Sequence, residues 1–240
     1  MCGDRPGLGT STCIVDAGRL QLETGLAWSR TDAPEERQDV FLAGDTLVRL
    51  GLDEQTEMQL GLTAFGHVRT RTFGSVTERS GVGDVTIALR RNLLSPDGSG
   101  TTAAVQPYFT LPTGGSAIGS GDWSAGVLLP LGFDLNDTLS LAFSAQASLE
   151  PDADQEGHHA AFGGVAGLGI GLSERLSASV ELAVFQDEDS VGSATEALLG
   201  LSFALGLSDK VQIDAGLNLG LNDDSPDTEL YAGIVTRFKR

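Results

Sequence analysis

The stretch Val40–Arg69, VFLAGDTLVRLGLDEQTEMQLGLTAFGHVR, carries the pattern from which the fold can be read. Two runs flank the word LDEQ at Leu52–Gln55, and in both of them apolar residues recur at every second position. In the first run Val40, Leu42, Val48, Leu50 and Leu52 share one face, opposed by Phe41, Asp45, Leu47 and Arg49. In the second, Met58, Leu60, Leu62 and Val68 oppose Glu57, Gln59, Thr63, His67 and Arg69. A repeat of two is the signature of a strand whose faces meet different surroundings; a helix would repeat at 3.6. Polar turn residues between two such runs predict an antiparallel hairpin. Centred near Asp53, it sets Arg49 directly across from Glu57 as an ion pair.

The same alternation extends in both directions from this hairpin. Upstream, Leu20, Leu22, Leu26 and Trp28 oppose Arg19, Gln21, Glu23 and Gly25. Downstream it recurs around Ile87, Phe109, Leu129, Leu141, Leu168, Val180, Leu201, Leu217 and Ile234, with Asp84, Arg90, Glu181, Asp214, Glu229 and Arg237 on the opposite faces. That gives about twelve strands. A strand of about 11 residues tilted near 45° rises roughly 26 Å, the height of the apolar band of an outer-membrane barrel.

The connections carry a second pattern. Tight ones at Leu52–Gln55, Pro96–Gly100, Leu135–Thr138, Leu172–Arg175 and Leu207–Lys210 alternate with longer ones. The longer ones are TDAPEERQ, the Thr70–Gly81 stretch, TGGSAIGSG, EPDADQEGH, QDEDSVGSATE and NDDSPDTE. Strict alternation of short and long connections is what an up-and-down meander with two distinct ends produces. The expectation is therefore an all-β protein, a transmembrane up-and-down antiparallel β-barrel in the bacterial outer membrane. Residues 18–240 form the barrel, and residues 1–17 form a periplasmic segment or a plug. Both termini and the tight turns face the periplasm.

Composition agrees with this and excludes other classes. The net charge of −18 offers no basic footprint for nucleic acid. No run has the roughly 18 consecutive apolar residues of a membrane-spanning helix, whereas a barrel shows lipid only every second residue. Cys2 and Cys13 either close a small loop as a disulfide or remain free thiols, and Cys2 is alternatively a lipidation site. The opening MCGDRPGLGT lacks a basic region followed by an apolar one, so an export signal is expected to have been removed.

At this level of detail the local words resemble a known family. GVGDVTIALR at Gly81–Arg90, YFTLPTGG at Tyr108–Gly115 and the closing YAGIVTRF at Tyr231–Phe238 are similar to the phenol-degradation meta-pathway outer-membrane proteins, as is RPGLGTSTCIVDAGRLQLETG at Arg5–Gly25. The resemblance implies a transporter-like outer-membrane barrel and, through it, small hydrophobic or aromatic solutes. It departs at the end of the chain. Phe238 would serve as the terminal aromatic read by the barrel-assembly machinery, but Lys239 and Arg240 follow it. Aromatics are also sparse at 6%, so the interfacial girdles of Trp28, Trp123, Phe133 and Phe238 are thin.

With the Leu-rich face toward lipid, the candidate lumen-lining residues are Arg19, Glu23, Asp45, Arg49, Glu57, His67, Asp84, Arg90, Glu181, Asp214, Glu229 and Arg237. Two readings follow from their mixed signs: a polar path for solutes, or charges that neutralise one another and fill the interior. Twelve strands enclose a backbone radius of roughly 12 Å, of which side chains take about half, so size alone allows either. The glycine-rich face of the eighth predicted strand, Gly163 to Gly171, widens the lumen or admits Cys2–Thr12 as a plug. Outside, Asp32–Asp39 carries −3, and Glu150–Glu156, Asp187–Glu196 and Asp223–Glu229 carry −4 each, most of the net charge. Such loops suit divalent cations bridging to lipopolysaccharide phosphates, or simple solvation. No metal-ligand spacing, nucleophile elbow or phosphate cradle is present, so neither an enzyme nor a cofactor is expected.

Overall fold

The computed structural model describes residues 2–95 and 100–238. The predicted turn residues Pro96 to Ser99, and Lys239 and Arg240, lie outside the described residues. Thirteen strands follow in order: β1 Leu20–Asp32, β2 Glu36–Gly51, β3 Thr56–Thr72, β4 Ser75–Gly81, β5 Val85–Leu94, β6 Thr101–Leu111, β7 Ser124–Asp134, β8 Leu139–Pro151, β9 His158–Gly171, β10 Leu176–Asp189, β11 Gly192–Ser208, β12 Val211–Gly220 and β13 Thr228–Phe238. Every pairing between them is antiparallel. Sequential neighbours pair except β4 with β5, which both pair with β3, and β1 closes the ring on β13. The result is a closed barrel of twelve staves, because β4 and β5 are two lengths of one stave. They hold the same register against β3, with Gly61 opposite Thr86 and Gly66 opposite Gly81.

The distribution of side chains is inverted relative to a water-soluble protein. Fully buried positions include Arg49, Arg90, Gln21, Glu23 and Glu57, while Leu60, Ile87, Leu129, Val180, Leu201 and Leu230 lie exposed on the outside. Alternation permits this arrangement, and only a hydrocarbon surround makes it favourable.

Three of the expected long connections are not loops. TDAPEERQ contains the end of β1 and the start of β2, the Thr70–Gly81 stretch is the β3–β4 hairpin, and QDEDSVGSATE is a hairpin turning at Ser190–Val191. These extensions rise above the apolar band, where both faces are polar and alternation in hydrophobicity disappears. TGGSAIGSG, Asp152 to Gly157 and Leu221 to Asp227 remain true loops.

Candidate functional site

The short-turn end of the lumen is filled around one guanidinium. Arg49 donates from Nε to Glu57 Oε1 at 2.9 Å and from Nη1 to Glu23 Oε1 at 2.9 Å. Its Nη1 and Nη2 also reach the carbonyls of Cys2 and Cys13, at 3.0 and 2.7 Å. The Arg49–Glu57 ion pair forms as expected, but not directly across the hairpin. Arg49 stands opposite Gln59 and Glu57 opposite Gly51, because the turn closes with Leu52 N–H on Thr56 C=O. The two partners therefore meet on a diagonal, which a long arginine spans easily. Arg90 adds a second cation, 2.6 Å from Asp4 and 3.5 Å from Glu57.

Asp4 belongs to the amino-terminal segment, and that segment lies inside the barrel. Carboxylates from the wall accept its backbone N–H groups: Glu23 takes those of Asp4 and Arg5, Glu57 that of Val15, and Glu181 those of Leu8 and Gly9. Arg5 reaches across to Asp214 at 3.0 Å and lies over the Tyr231 ring. Gly25 and Gly233 leave the space for it, since a Cβ at either would fall 2.7 Å from Arg5 Cζ. Gly7 sits at φ 123° with its Cα side against Glu181, a place no other residue fits without strain. Cys2 and Cys13 are joined as a disulfide, Cα atoms 5.7 Å apart, which resolves the alternatives left open by the sequence.

Burial opposes ionisation of Asp4, yet the Arg49 and Arg90 guanidiniums outweigh it and hold its carboxyl below the usual carboxylate range. A depressed folded-state pKa means that this anchoring is complete at neutral pH. It is lost only as pH falls through that depressed value, below the usual carboxylate range. Hydrogen exchange at residues 2–17 is thus expected to stay slow from pH 8 to 5 after correction for intrinsic rates; faster exchange already at pH 6 would contradict it.

The opposite wall is built differently. Along β6–β11 the inward positions include Ser140, Ala142, Ser144, Gly167, Gly169, Ser179 and Ser202. Two cavities of about 380 and 280 Å³ lie between this wall and the segment, sharing Pro6, Asp134, Ser140, Gly169 and Ser179 in their linings. Above the segment a third, of about 320 Å³, is lined by Gln59, Gln106, Tyr108 and Gln146 and shares Asp4 and Thr10 with the second.

His67 is a correction to the expected lumenal set. Between β1 and β2 the register shifts at Gly25/Leu26, and Gly44 takes φ 64°. This bulge reverses the alternation in the loop-side half of β2, and β3 follows. His67 therefore stands opposite Phe41, which pairs with Trp28, which in turn pairs with Leu230, all on the outer face. By the same reversal Val40, Leu42 and Val68, expected to face outward, turn into the lumen: Leu42 is opposite Ala27, which is opposite the lumenal Tyr231. Gly66, opposite Leu42, packs against Ile118 from the β6–β7 loop, where a Cβ would collide. That loop is folded inward and held by Asp84, which accepts from Gly114 N–H at 2.6 Å, Ser120 N–H at 2.7 Å and Ser120 Oγ at 2.8 Å. Asp84→Asn would present an amide donor to those donors and cost about 1–3 kcal/mol locally. Faster hydrogen exchange over residues 113–121, with the barrel unchanged, is the expected result.

The remaining candidates occupy the rims and walls. Arg19 precedes β1, half exposed at the short-turn rim beside Asp16, and does not line the lumen interior, because the strand begins after it. Arg237 lies above that rim on Gln21. Asp45 holds Thr63 from within, and Glu229 stands higher, opposite Ser29 and Asn218. Asp4, Arg5 and Gln21 complete the buried network and were not among the expected site residues. The signal for Asp4 and Arg5 was charge inside a glycine-rich segment, and for Gln21 its place on the inward-alternating face of β1.

Comparison with solved structures places this barrel among outer-membrane barrels. The NanC porin superposes with a TM-score of 0.56 at 7% identity, covering 92% of this chain and 100% of that one. The KdgM porin gives 0.53 at 9%, covering 90% and 99%. The translocator domain of the autotransporter NalP from Neisseria meningitidis gives 0.58 at 13%, covering 92% and 88%. At such identities the likeness is one of fold alone. No curated protein matches at the level of sequence. The family described as "Putative MetA-pathway of phenol degradation" matches residues 3–238, nearly the whole chain, and the protein belongs to it.

Proposed function

We propose that the protein is a passive outer-membrane channel for small compounds in which residues 2–17 act as a plug. The supporting observation is the asymmetry of the lumen. One side is locked by buried ion pairs, while the other is lined by small residues that leave cavities of about 380 and 280 Å³ alongside the segment. A hydrophobic or aromatic solute suits the family's description and the apolar patch that Ile118 forms with Val40, Leu42 and Val68, the three residues the Gly44 bulge turns inward. No catalytic role is proposed for any residue. Outward-facing Phe238 supports recognition by the assembly machinery, and the acidic loops support contact with cation-bridged lipopolysaccharide.

Planar-bilayer recording of the purified protein tests the reading. Small, discrete, voltage-tolerant conductance steps are expected, because the plug leaves a path on one side only. A second reading, a closed structural barrel, is favoured by the complete burial of Arg49, Arg90 and Glu57. Silence at every voltage and pH, for this protein and for a form without the plug, would select it.

A further inference from the structure

At the loop end, three elements converge on His159. The imidazole, on the second residue of β9, keeps only 8% of its side-chain surface. Its Nδ1 lies 2.9 Å from Asp152 Oδ1, at the start of the β8–β9 loop, and 3.7 Å from Asp189 Oδ2, at the end of β10. Its Nε2 lies 2.7 Å from Asp187 Oδ1, yet outside hydrogen-bonding geometry, so this buried nitrogen has no hydrogen-bond partner among the described residues. A neutral imidazole has one N–H and one lone pair. With carboxylate oxygens at both ring nitrogens, one lone pair must face an anion, which is repulsive in a half-buried place. Either a second proton or a metal ion is needed to resolve it.

The placement of the oxygens distinguishes the two. A proton on Nδ1 satisfies Asp152 alone and leaves Asp189 unused by the ring. One ligand atom each from Asp152, His159 and Asp189 lies within 4.8 Å of the others, within reach of a single ion. An ion on Nδ1 fixes the proton on Nε2, and a small rotation of the ring then aims it at Asp187 Oδ1, 2.7 Å away, the arrangement in which a carboxylate orients a metal-bound histidine. Imidazole with two carboxylates, at about 2.0–2.2 Å from the ion, is a ligand set for zinc or a neighbouring transition metal rather than for calcium.

We infer that Asp152, His159 and Asp189 form a transition-metal site of the zinc type, with Asp187 orienting the histidine. The ion would clasp the loop Asp152 to Gly157 to the β10–β11 hairpin, already joined through Ala153 N–H on Asp189 Oδ2 at 2.8 Å. From there the contact runs on to the β6–β7 loop: Gln155 Nε2 donates to Ser120 C=O, and His158 meets Trp123 C=O. A bound ion would therefore stiffen the loops around the outer mouth.

The test is calorimetric titration of the full chain, folded in detergent and stripped with chelator, with Zn²⁺ alone. One ion per chain is expected. Affinity should fall at least about tenfold in Asp152→Asn and His159→Gln and roughly 10–100-fold in Asp187→Asn. Asp154→Asn, one turn of loop away, should leave it unchanged, and hydrogen exchange over residues 152–158 should slow on adding zinc. Absence of saturable binding, or binding that the three variants leave intact while they remain folded, overturns the site. So does loop protection that follows pH and ignores zinc, because a proton then does what the ion was assigned.

Discussion

Arg49→Met is expected to detach residues 2–17 from the lumen while leaving the barrel closed. Arg49 is wholly buried and, among the described residues, is the only side chain that touches both wall carboxylates, Glu23 and Glu57, and both cystine carbonyls. Its loss leaves Glu23 without a cation among the described residues and Glu57 with Arg90 alone, 3.5 Å away, while the two carbonyls keep only Gln21 and Arg90 as donors. Breaking such a buried pair costs about 3–5 kcal/mol, far more than an exposed pair contributes. The stave ladder does not depend on it, since β1–β2 and β2–β3 pairing runs the length of the strands. The relief is thus to let the segment go and admit water to Glu23 and Glu57. Amide exchange at Asp4, Arg5 and Val15, whose N–H groups these two carboxylates accept, should accelerate by at least about a hundredfold. Arg49→Lys should lie between, because one ammonium cannot reach acceptors spread over a guanidinium's fork. Adding Glu23→Gln to Arg49→Met should restore part of the protection by removing the carboxylate left without a cation. Unchanged exchange in Arg49→Met would show that Arg90 and the disulfide hold the segment unaided.

How much of this was legible beforehand depends on what surrounds each stretch. Alternation is imposed by having lipid on one side and polar lumen on the other, so it marks the band from Leu20 to Trp28 or Met58 to Leu62 without ambiguity. Beyond the band both faces are wet, and β4, SVTERSG, carries no periodicity that separates it from a loop. The Gly44 bulge has no hydrophobic signal at all. Only a glycine at positive φ between Ala43 and Asp45 betrays it, and a single such residue turns His67 out and Leu42 in. The ion pair between Arg49 and Glu57 was legible because both alternate inward beside a tight turn, while its diagonal geometry depended on how that turn closes. The segment's path was not legible. Apart from the Asp4 and Arg5 side chains, its anchors are backbone N–H groups, which every residue except proline possesses, so little in the side-chain pattern of Cys2–Thr12 specifies that wall carboxylates receive them.

Deletion of residues 2–17 is expected to raise single-channel conductance several-fold over the intact protein. The backbone radius of roughly 12 Å leaves about half of it free after side chains, and the segment lies in that space, held by Glu23, Glu57 and Glu181. What remains lining the opened lumen is charged unevenly. Glu23, Asp45, Glu57, Glu181, Asp214 and Glu229 face Arg49, Arg90 and Arg237, while Arg5, the partner of Asp214, leaves with the segment. The opened pore should therefore prefer cations, shown by the sign of the reversal potential in a salt gradient and weakened at high ionic strength. Arg49 and Arg90 keep Glu57 as a partner, so the barrel is expected to fold and to retain its β-rich circular dichroism. A folded deletion variant with unaltered conductance would sink the plug, whatever Arg49→Met had done. A conducting variant that prefers anions would keep the plug but refute this account of which charges line the path.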